Sequence, residues 1–296
     1  MMEQALRQHI ELALSDKWGE SVRIGQLRPL GGGCINHASR MQTNVGDYFL
    51  KWNPGGISDL FLREAESLRE LAKAESELHI PKVYLAAAPT DRLPAYLLTE
   101  YLSPPEQSRS EMEEQLGRGI AQLHRYQHEQ FGFHNDNYCG ATPQDNRWQS
   151  DWVTFFAEQR IGALLRMIRD KRGLDSREEK AYEQLLQKLP QLLGHEPAPS
   201  LNHGDLWSGN YMFSAHGPAL IDPASYYADR EFDLGMMGMF GGFAARVWEA
   251  YQEEYPLELA WKDRHELYKL YHYLNHDYLF GGGYGQQALS IARSYI

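Results

Sequence analysis

The apolar periodicity of the chain changes once, at residues 103–110, and this change constrains the fold more than any other feature. Before it, most of the chain from residue 21 onward is typical of extended structure, with β-forming residues between turn signals. After it, apolar residues recur mainly at helical spacing. The pattern predicts an α+β fold with a small β-rich lobe over 1–102 and a larger, mainly helical lobe over 103–296. A cleft between two lobes is a common place for a ligand.

Individual elements can be assigned within each lobe. The first lobe is predicted to contain a weak helix over 1–16 and extended segments over 21–52, 82–88 and 95–102. Between them a helix is predicted from the spacing of Phe61, Ala65 and Leu68, and Ser58 or Asp59 can cap it. In the second lobe, helices are predicted near 112–123, 152–168, 176–193 and 228–296, with short extended pieces at 211–214 and 218–225.

Charge and composition exclude several classes of partner. The chain carries 29 basic and 40 acidic residues, a net charge of −11, and has no Lys/Arg stripe that would attract nucleic acid. The same charge repels anionic ligands, so any phosphate site must be built locally from backbone N–H groups, a lysine and a divalent metal. Two cysteines favour a reducing compartment, and no apolar run approaches the ~18 residues of a membrane span. We therefore expect a cytoplasmic protein without a nucleic-acid or membrane partner.

The stretch NHGDLWSGN, residues 202–210, supplies Asp205 and Asn210, and Asp222 follows twelve residues later behind an apolar run. A strand–turn–strand of this size would bring Asn210 and Asp222 to adjacent strand ends, where an amide oxygen and a carboxylate suit Mg²⁺. Asp205 would then face a hydroxyl group that is to be phosphorylated. The alternative for each residue alone is an ordinary turn in which Asp or Asn caps backbone groups.

A phosphate cradle and a lysine are available upstream. The turn LGGGCINHAS, residues 30–39, lies between extended segments, and its glycines would let backbone N–H groups approach a phosphate. A plain hairpin is the alternative. Lys51 shares a strand face with Phe49, and a lysine on a mostly buried face is uncommon unless it is paired. Glu64, at the edge of the apolar stripe of the predicted helix, is the candidate partner; an ordinary surface position is its alternative.

These elements occur in the order seen in the protein-kinase-like fold, with its Lys–Glu pair and H-x-D-x-x-x-x-N loop. More closely, the chain resembles the fructosamine kinase (ketosamine-3-kinase) family from about residue 8 to the C-terminus. The resemblance rests on these segments: GGGCIN, FLKWN, FGFHNDNYCGATPQDNRWQSDW, NHGDLWSGN and IDPASYYADREFDLGMM. The aspartate loop alone would not separate this family from aminoglycoside or choline kinases.

The resemblance implies a role for each matching position. Asp205 would accept the proton of the acceptor hydroxyl, and Asn210 with Asp222 would ligate Mg²⁺. Lys51 would contact the α- and β-phosphates of ATP while Glu64 holds it in place. The remaining ATP-binding positions implied are Gly31, Gly32, Gly33, Cys34 and Asn36 over the phosphates, and the backbone of Glu100, Tyr101 and Leu102 at the adenine.

The implied reaction is ATP-dependent phosphorylation of the 3-hydroxyl of a sugar joined to an amine by an Amadori-type linkage. The resulting 3-phosphate is unstable and frees the amine, so the activity amounts to deglycation. Two alternatives stay open: a related kinase for an aminoglycoside or choline, and a non-catalytic pseudokinase. The pseudokinase is disfavoured because Lys51, Asp205, Asn210 and Asp222 are all present.

Two positions depart from the protein-kinase pattern. Residue 204 is Gly, where regulated protein kinases carry an Arg that binds a phosphorylated activation loop, so we expect no phospho-activation. Asp222 is followed by Pro223 and Ala224 instead of Phe-Gly. Proline stiffens the turn, which predicts a metal site with little in/out switching.

The substrate side is less determined by the sequence. Trp207 could stack on the sugar or its amine substituent, or pack in the core. Glu231 and Asp233 could line the same side, although we favour Asp233 as an acceptor for backbone N–H groups of the catalytic loop. Asp136 and Asn137 lie in a polar stretch typical of the family, for which loop structure is the alternative. A glycated amine, small or protein-linked, is the expected substrate.

Two further residues have separate expectations. His203 is expected to support the loop, not to transfer protons. Cys34 lies in the Gly-rich turn, where nearby N–H groups could lower its thiol pKa. Oxidation, or a disulfide that links two copies into a homodimer, would then block ATP; a small residue tolerated in a tight turn is the alternative.

Overall fold

The computed structural model describes residues 4–31, 36–105 and 107–296. The N-terminal part is a five-stranded antiparallel sheet in the order β1-β2-β3-β5-β4, with two helices. Its elements are α1 (Gln4–Trp18), β1 (Ile24–Pro29), β2 (His37–Thr43), β3 (Gly46–Asn53), α2 (Leu60–Leu71), β4 (Val83–Ala87) and β5 (Ala95–Glu100). The helices and extended segments predicted for this part of the chain are confirmed.

The two faces of this sheet are covered by different helices. Ile10 of α1 packs in one apolar cluster with Leu50, and Phe61 of α2 packs in another with Leu97. Lys51 pairs with Leu97 across β3 and β5, so it shares the face of the sheet that α2 covers. The alternation of side chains along β3 therefore directs a lysine toward α2.

The start of α2 differs from the prediction. Asp59 occupies the N-cap position, but its side chain makes no capping bond. Its carboxylate instead accepts hydrogen bonds from Arg63 Nε (3.0 Å) and from the hydroxyl of Tyr138 (2.9 Å). The predicted cap position is confirmed at Asp59, but the side-chain cap is not formed, because Arg63 one turn later and the hydroxyl of Tyr138 bind the carboxylate.

The rest of the chain is mainly helical. Its elements are α3 (Arg109–His124), β6 (Asn137–Cys139), β7 (Thr142–Gln144), α4 (Trp152–Thr154), a π-helical segment (Phe155–Ile161), α5 (Gly162–Arg172), α6 (Ser176–Leu192), β8 (Ser200–Asn202), β9 (Tyr211–Ser214), β10 (Gly217–Leu220), β11 (Tyr226–Ala228), α7 (Glu231–Met239), α8 (Ala245–Glu254), α9 (Trp261–Phe280) and α10 (Tyr284–Ser294). The four predicted helical regions and the hairpin are confirmed, and the pairs β6–β7 and β8–β11 are additional. The boundary predicted after residue 102 falls between β5 and α3, and the division into lobes there stays a prediction.

Short antiparallel strand pairs position the polar loops. β8 pairs with β11 and β9 with β10, above a large core rich in aromatic side chains. Loops 203–210 and 221–225 leave the ends of these strands, and Asp222 reaches Lys51 of the N-terminal sheet. The two halves of the chain therefore meet at this point. None of the helices in the described ranges is long and apolar enough to cross a membrane.

Candidate active site

The loop of residues 203–210 connects β8 to β9 and is anchored by one carboxylate. Asp233 of α7 is fully buried and accepts hydrogen bonds from the backbone N–H groups of His203 (2.6 Å) and Gly204 (2.9 Å). It also accepts one from His124 Nε2 (3.3 Å). Burial opposes ionisation, but His124 and the other donors outweigh it and lower the pKa of Asp233. The predicted role of Asp233 in holding the loop is confirmed.

His203 is a structural member of the same loop. It is fully buried, and burial lowers the pKa of its imidazole, which favours the neutral ring. Its Nε2 lies 2.9 Å from the Ile221 carbonyl oxygen, and the Asp205 N–H donates to its Nδ1 over 3.3 Å. A neutral ring with its proton on Nε2 satisfies both bonds. Both nitrogens are occupied, which confirms the expected supporting role.

Gly204 has a steric reason to be glycine. Its φ is +86°, and a Cβ at this position would lie 2.1 Å from the carbonyl oxygen of Ala224. No side chain fits that distance, so an Arg like that of regulated protein kinases is excluded in this loop conformation. The close approach lets the catalytic loop lie directly against the segment that follows Asp222.

Asp205 and Asn210 are joined by hydrogen bonds across the loop. Asn210 Nδ2 donates to the backbone oxygen of Asp205 (2.8 Å) and to its carboxylate Oδ2 (3.1 Å). Burial raises the pKa of Asp205 to about 7, helped by the nearby charges of Asp222 and Asp233 and opposed by the Asn210 bond. A carboxylate with a pKa near neutrality is suited to accept a proton from a hydroxyl group.

Asp222 lies beside Asn210, as the spacing of the two residues predicts. The Ile221 N–H donates to the Asn210 carbonyl oxygen over 3.0 Å, which brings the ends of β9 and β10 together. Asp222 adopts φ +57°, a left-handed conformation that Asp tolerates better than most residues. Its side chain is 48% exposed. The carboxylate is therefore open to solvent while its backbone is set by the turn.

Lys51 connects the two halves of the site. Its ammonium group donates to Glu64 Oε1 (2.8 Å), and it also forms an ion pair with Asp222. Burial acts to lower the pKa of Lys51, but the two carboxylates outweigh it and raise the pKa. The predicted Lys51–Glu64 pair is confirmed, and the contact between Lys51 and Asp222 is an addition to the prediction.

The oxygen donors at this point fit a hard divalent cation. The side-chain nitrogen of Asn210 makes the bonds to Asp205. Its side-chain oxygen has no hydrogen-bond partner within the described residues and stays available as a ligand. Asp222 offers a carboxylate that is half exposed. An amide oxygen and a carboxylate are ligands that Mg²⁺ accepts, with phosphate oxygens and waters completing the shell. These two oxygen donors therefore fit a divalent cation that is shared with phosphate oxygens.

Comparison with known proteins decides the family, because residues 6–296 match the family described as fructosamine kinase. The chain belongs to the fructosamine kinase family. The protein-ribulosamine 3-kinase of Arabidopsis thaliana, a chloroplast protein, is 36% identical over 282 residues, which cover 94% of this chain and 85% of that protein. The resemblance inferred from the sequence is thereby confirmed.

Solved structures place this fructosamine kinase family member among protein-kinase-like folds. A protein from Haemophilus somnus 129PT named as a fructosamine-3-kinase gives a TM-score of 0.87 at 28% identity, covering 99% of this chain and 98% of that one. The aminoglycoside phosphotransferase APH(4)-Ia, solved with AMP-PNP and hygromycin B, gives 0.65 at 17% identity, covering 96% and 98%. The second likeness concerns the fold alone, and the predicted fold class is confirmed.

The predicted phosphate cradle of this family member is described only at its ends. Asn36 Oδ1 accepts a hydrogen bond from Asn53 Nδ2 over 2.9 Å, which ties the end of the turn to β3. Gly31 borders open space, because a Cβ at this position would have no described atom within 4 Å. The positions Gly32, Gly33 and Cys34 lie outside the described residues, so the roles predicted for them stay predictions.

The predicted adenine-binding segment follows β5. The Glu100 carboxylate accepts from His79 Nε2 (3.0 Å) and the Lys82 N–H (3.2 Å), so this side chain has structural partners. Tyr101 stacks under Arg40, whose guanidinium carbon lies 4.5 Å from the ring centroid, and the side chain of Leu102 is buried. The role predicted for this segment concerns its backbone and stays a prediction.

The residues predicted to bind substrate differ in exposure: Trp207 and Asp136 are exposed, whereas Asn137 is buried. Trp207 is 40% exposed and follows Asp205 by two positions, so its ring is not core packing. Asp136 is exposed and accepts a hydrogen bond from the Asn146 N–H over 2.8 Å. Asn137 is buried, donating to the Ser225 carbonyl (2.8 Å) and accepting from Asn146 (2.8 Å). Loop structure, the alternative interpretation, accounts for Asn137.

Glu231 has a structural partner in α9. It is buried and forms a two-bond ion pair with Arg264, at 2.8 Å and 2.6 Å. His195 and Asp229 complete this cluster, with 2.7 Å between His195 Nε2 and an Asp229 oxygen. The predicted placement of Glu231 at the substrate is therefore corrected. Glu231 is the first residue of α7, and its carboxylate pairs with Arg264 of α9.

One residue beside the loop is absent from the sequence-based predictions. Phe240, which follows α7, is 45% exposed, and its ring contacts Trp207 edge-to-face with centroids 6.4 Å apart. The available signal is the segment MFGGF at 239–243, in which glycines flank an apolar residue outside any periodic pattern. Glycines at 241 and 242 have φ of +69° and +91°, which lets the chain turn back toward the loop.

Proposed function

We propose that this member of the fructosamine kinase family transfers the γ-phosphoryl group of ATP to the 3-hydroxyl of a ketosamine, a sugar joined to an amine through an Amadori-type linkage. The observation that carries the proposal is the meeting of Lys51–Glu64 with Asp222 where the two halves of the chain contact each other, beside the bonded pair Asp205–Asn210. The name of the Arabidopsis thaliana relative, a protein-ribulosamine 3-kinase, supports the substrate class.

In this proposal Asp205 orients the acceptor hydroxyl and takes its proton. The substrate oxygen forms a bond to the γ-phosphorus as the bond from that phosphorus to the bridging β,γ-oxygen breaks, and ADP leaves with the bridging electrons. Positioning and charge neutralisation supply most of the rate in phosphoryl transfer, and proton removal adds ~10²–10⁴-fold. The bond from Asn210 to Asp205 fixes the direction of the carboxylate.

The remaining side chains bind the nucleotide. Lys51 would contact the α- and β-phosphates, and Glu64 holds it on the side of the sheet that α2 covers. Asn210 and Asp222 would hold Mg²⁺, which supplies charge neutralisation at the phosphate oxygens when bound. Lys51 and Asp222 pair across the cleft, and Asp222 is the carboxylate that a cation would share.

The site is proposed to act without phospho-activation. Gly204 has no room for a side chain, so the loop cannot carry a cation that reads a phosphorylated segment. Pro223 follows Asp222 and fixes one dihedral of the turn. Asp233 holds two loop N–H groups from a buried position. The catalytic loop is therefore proposed to be in its working conformation before substrate binds.

The test is direct phosphorylation in vitro. The protein is incubated with ATP, Mg²⁺ and fructosyl- or ribulosyl-amines, and the sugar 3-phosphate is sought by ³¹P and ¹H NMR. Asp205→Asn is the matched variant: its turnover is expected to fall ~10²–10⁴-fold while Mg-ATP still binds, as seen by calorimetry. Phosphorylation of an aminoglycoside or choline with no turnover of any ketosamine would refute the substrate class. Near-normal kcat in Asp205→Asn would refute the assignment of the base.

Three expectations about the whole protein stay predictions. A cytoplasmic location is not addressed by the fold. The homodimer linked through Cys34 depends on a residue outside the described ranges, and so does its redox block of ATP binding. Cys139, the free cysteine of the described residues, is buried, and burial raises the pKa of its thiol.

A further inference from the structure

A row of aromatic side chains leads away from the catalytic loop over the surface of the protein. It consists of Trp207, Phe240, His276 and Phe280, which we call the aromatic strip. Ring centroids are 6.4 Å apart for Trp207 and Phe240, 5.2 Å for Phe240 and His276, and 5.7 Å for His276 and Phe280. Three of these rings belong to the large apolar side chains that stay exposed, at 40% for Trp207, 45% for Phe240 and 67% for Phe280.

The position of Trp207 connects the strip to the reaction. The backbone N–H of Trp207 donates to the Asp205 carbonyl oxygen over 3.0 Å. The residue that carries the indole is therefore held in the same tight turn as the proposed base. A Cβ at Gly209 would lie 2.2 Å from the indole carbon Cη2. The ring therefore lies over the bare backbone of Gly209, and Phe240 contacts it edge-to-face from the side. Exposed rings next to a catalytic carboxylate indicate a surface for substrate, since exposed apolar groups that cluster usually mark binding sites.

The chemistry of a ketosamine says which part of it reaches the strip. Its nitrogen is on C1 and its acceptor hydroxyl on C3, so a hydroxyl placed at Asp205 leaves the nitrogen two carbons away. The amine is a cation at neutral pH and suits an aromatic face. Whatever the nitrogen carries must then extend beyond Trp207. His276 does not oppose the cation, because burial lowers the pKa of its imidazole and favours the neutral ring.

We propose that Phe240, with Trp207 and His276 on either side, forms a subsite for the substituent on the ketosamine nitrogen and so determines which glycated amines are preferred. The proposal rests on the proposed function. A long aliphatic substituent, such as a lysine side chain, covers the exposed ring of Phe240, whereas a methyl group ends at Trp207. Phe240 is a specificity-determining residue and takes no part in phosphoryl transfer.

The loop that carries Phe240 is fixed at a defined distance from the catalytic loop. The Tyr211 hydroxyl donates to the Gly242 carbonyl oxygen over 3.1 Å. A Cβ at Gly242 would lie 2.4 Å from Ser208 Oγ. Residues 240–243 thus lie directly against the catalytic loop, and the subsite is formed in the free protein.

The test compares two substrates in one enzyme preparation. Fructosyl-methylamine and fructosyl-lysine, which share the sugar and differ in the nitrogen substituent, are assayed for kcat/KM with wild type, Phe240→Ala and Leu259→Ala. Leu259 is fully exposed and outside the strip, which makes it the matched control. Phe240→Ala is expected to lower the ratio of the two kcat/KM values, fructosyl-lysine over fructosyl-methylamine, about tenfold, equal to ~1.4 kcal/mol. Leu259→Ala is expected to leave the ratio within twofold of wild type.

The ratio does not depend on the fraction of folded enzyme. An unchanged ratio in Phe240→Ala would overturn the subsite even if both activities fell. If Phe240→Ala lost activity toward both compounds, Phe240→Leu, which keeps an apolar side chain, would decide by the same ratio, with a fall of about threefold expected and no change refuting the proposal. If wild type turned over neither fructosyl compound, the same comparison would be made with the ribulosyl-amines. Turnover of no ketosamine at all would refute the proposed function itself, a result that is visible before any variant is assayed.

Discussion

Asp233 is the residue whose removal most directly tests how the catalytic loop is held. Replacing Asp233 by Asn keeps the shape of the side chain and removes its charge. Oδ2 of Asp233 receives His203 N–H and His124 Nε2, and Oδ1 receives Gly204 N–H. The amide oxygen of Asn can serve the first two donors, but its NH₂ group then faces the Gly204 N–H donor to donor.

The expected loss in the free energy of unfolding follows from these three hydrogen bonds. Leaving the buried Gly204 N–H without an acceptor costs about 1–3 kcal/mol, and turning two charge-assisted bonds into neutral ones costs roughly 1 kcal/mol each. We therefore expect Asp233→Asn to lower the free energy of unfolding by about 3–5 kcal/mol. At roughly 2 °C per kcal/mol for a chain of this size, Tm should fall by about 6–10 °C. Because Gly204 precedes Asp205, kcat should fall as well.

The assay is thermal unfolding followed by steady-state kinetics below the transition. Asp170→Asn, on an exposed position of α5, is the charge-matched control and should change neither Tm nor kcat. This substitution removes the same charge without touching the loop. A Tm within about 1 °C of wild type and an unchanged kcat for Asp233→Asn would refute the role assigned to Asp233.

The stabilisation that the Asp233 charge provides should decrease at low pH. The folded-state pKa of Asp233 lies below its ordinary value of 3.8. The stabilisation from its charge is therefore complete above that value and is lost as pH falls from about 4 through the folded-state pKa. The difference in Tm between wild type and Asp233→Asn should shrink over this window, because a protonated Asp233 resembles the amide. A difference that stays constant or grows as pH falls through it would contradict the charge-based explanation.

Three further outcomes are expected. Lys51→Met should weaken Mg-ATP binding at least tenfold in calorimetry, because the phosphates lose the ammonium group and Glu64 is left as an unpaired negative charge; unchanged affinity would contradict the nucleotide-binding role proposed for Lys51. Gly204→Ala should lower Tm far more than Gly173→Ala, since both have positive φ but only Gly204 would place Cβ against the Ala224 carbonyl oxygen. Gly173→Ala should cost about 1–3 kcal/mol, and equal losses would refute the steric reason. Chelation of Mg²⁺ with EDTA should abolish phosphorylation in the NMR assay and re-addition should restore it; turnover that persists would contradict the metal site.

The sequence by itself determined the elements of the fold and the identity of the reactive residues. Alternation in β3 and the apolar stripe of α2 are local patterns, so they place Lys51 on a mostly buried strand face and Glu64 at the edge of a buried helix face without any long-range information. The spacing from Asp205 to Asn210 and on to Asp222 is likewise local, because it fits one strand–turn–strand unit. Each of these residues carries a chemistry that few others can replace, which is why the pattern is specific.

Only the tertiary structure decided which partner each polar side chain has. Lys51 and Asp222 are 171 positions apart, and their contact depends on how the sheet meets the second half of the chain. The sequence allowed both acidic residues of α7 to face the substrate. In the folded chain Asp233 accepts hydrogen bonds from loop 203–210, and Glu231 forms an ion pair with Arg264.

The steric fit around loop 203–210 was also decided only by the tertiary structure. A sequence shows that residue 204 is glycine, but the crowding that would put a Cβ there 2.1 Å from the Ala224 carbonyl oxygen arises only once β8 and β11 have paired. The contact between Phe240 and Trp207 likewise depends on a turn with two positive-φ glycines. Periodicity states which face of an element is buried, whereas the partner opposite that face is set by long-range packing, and packing leaves no signature in a single local segment.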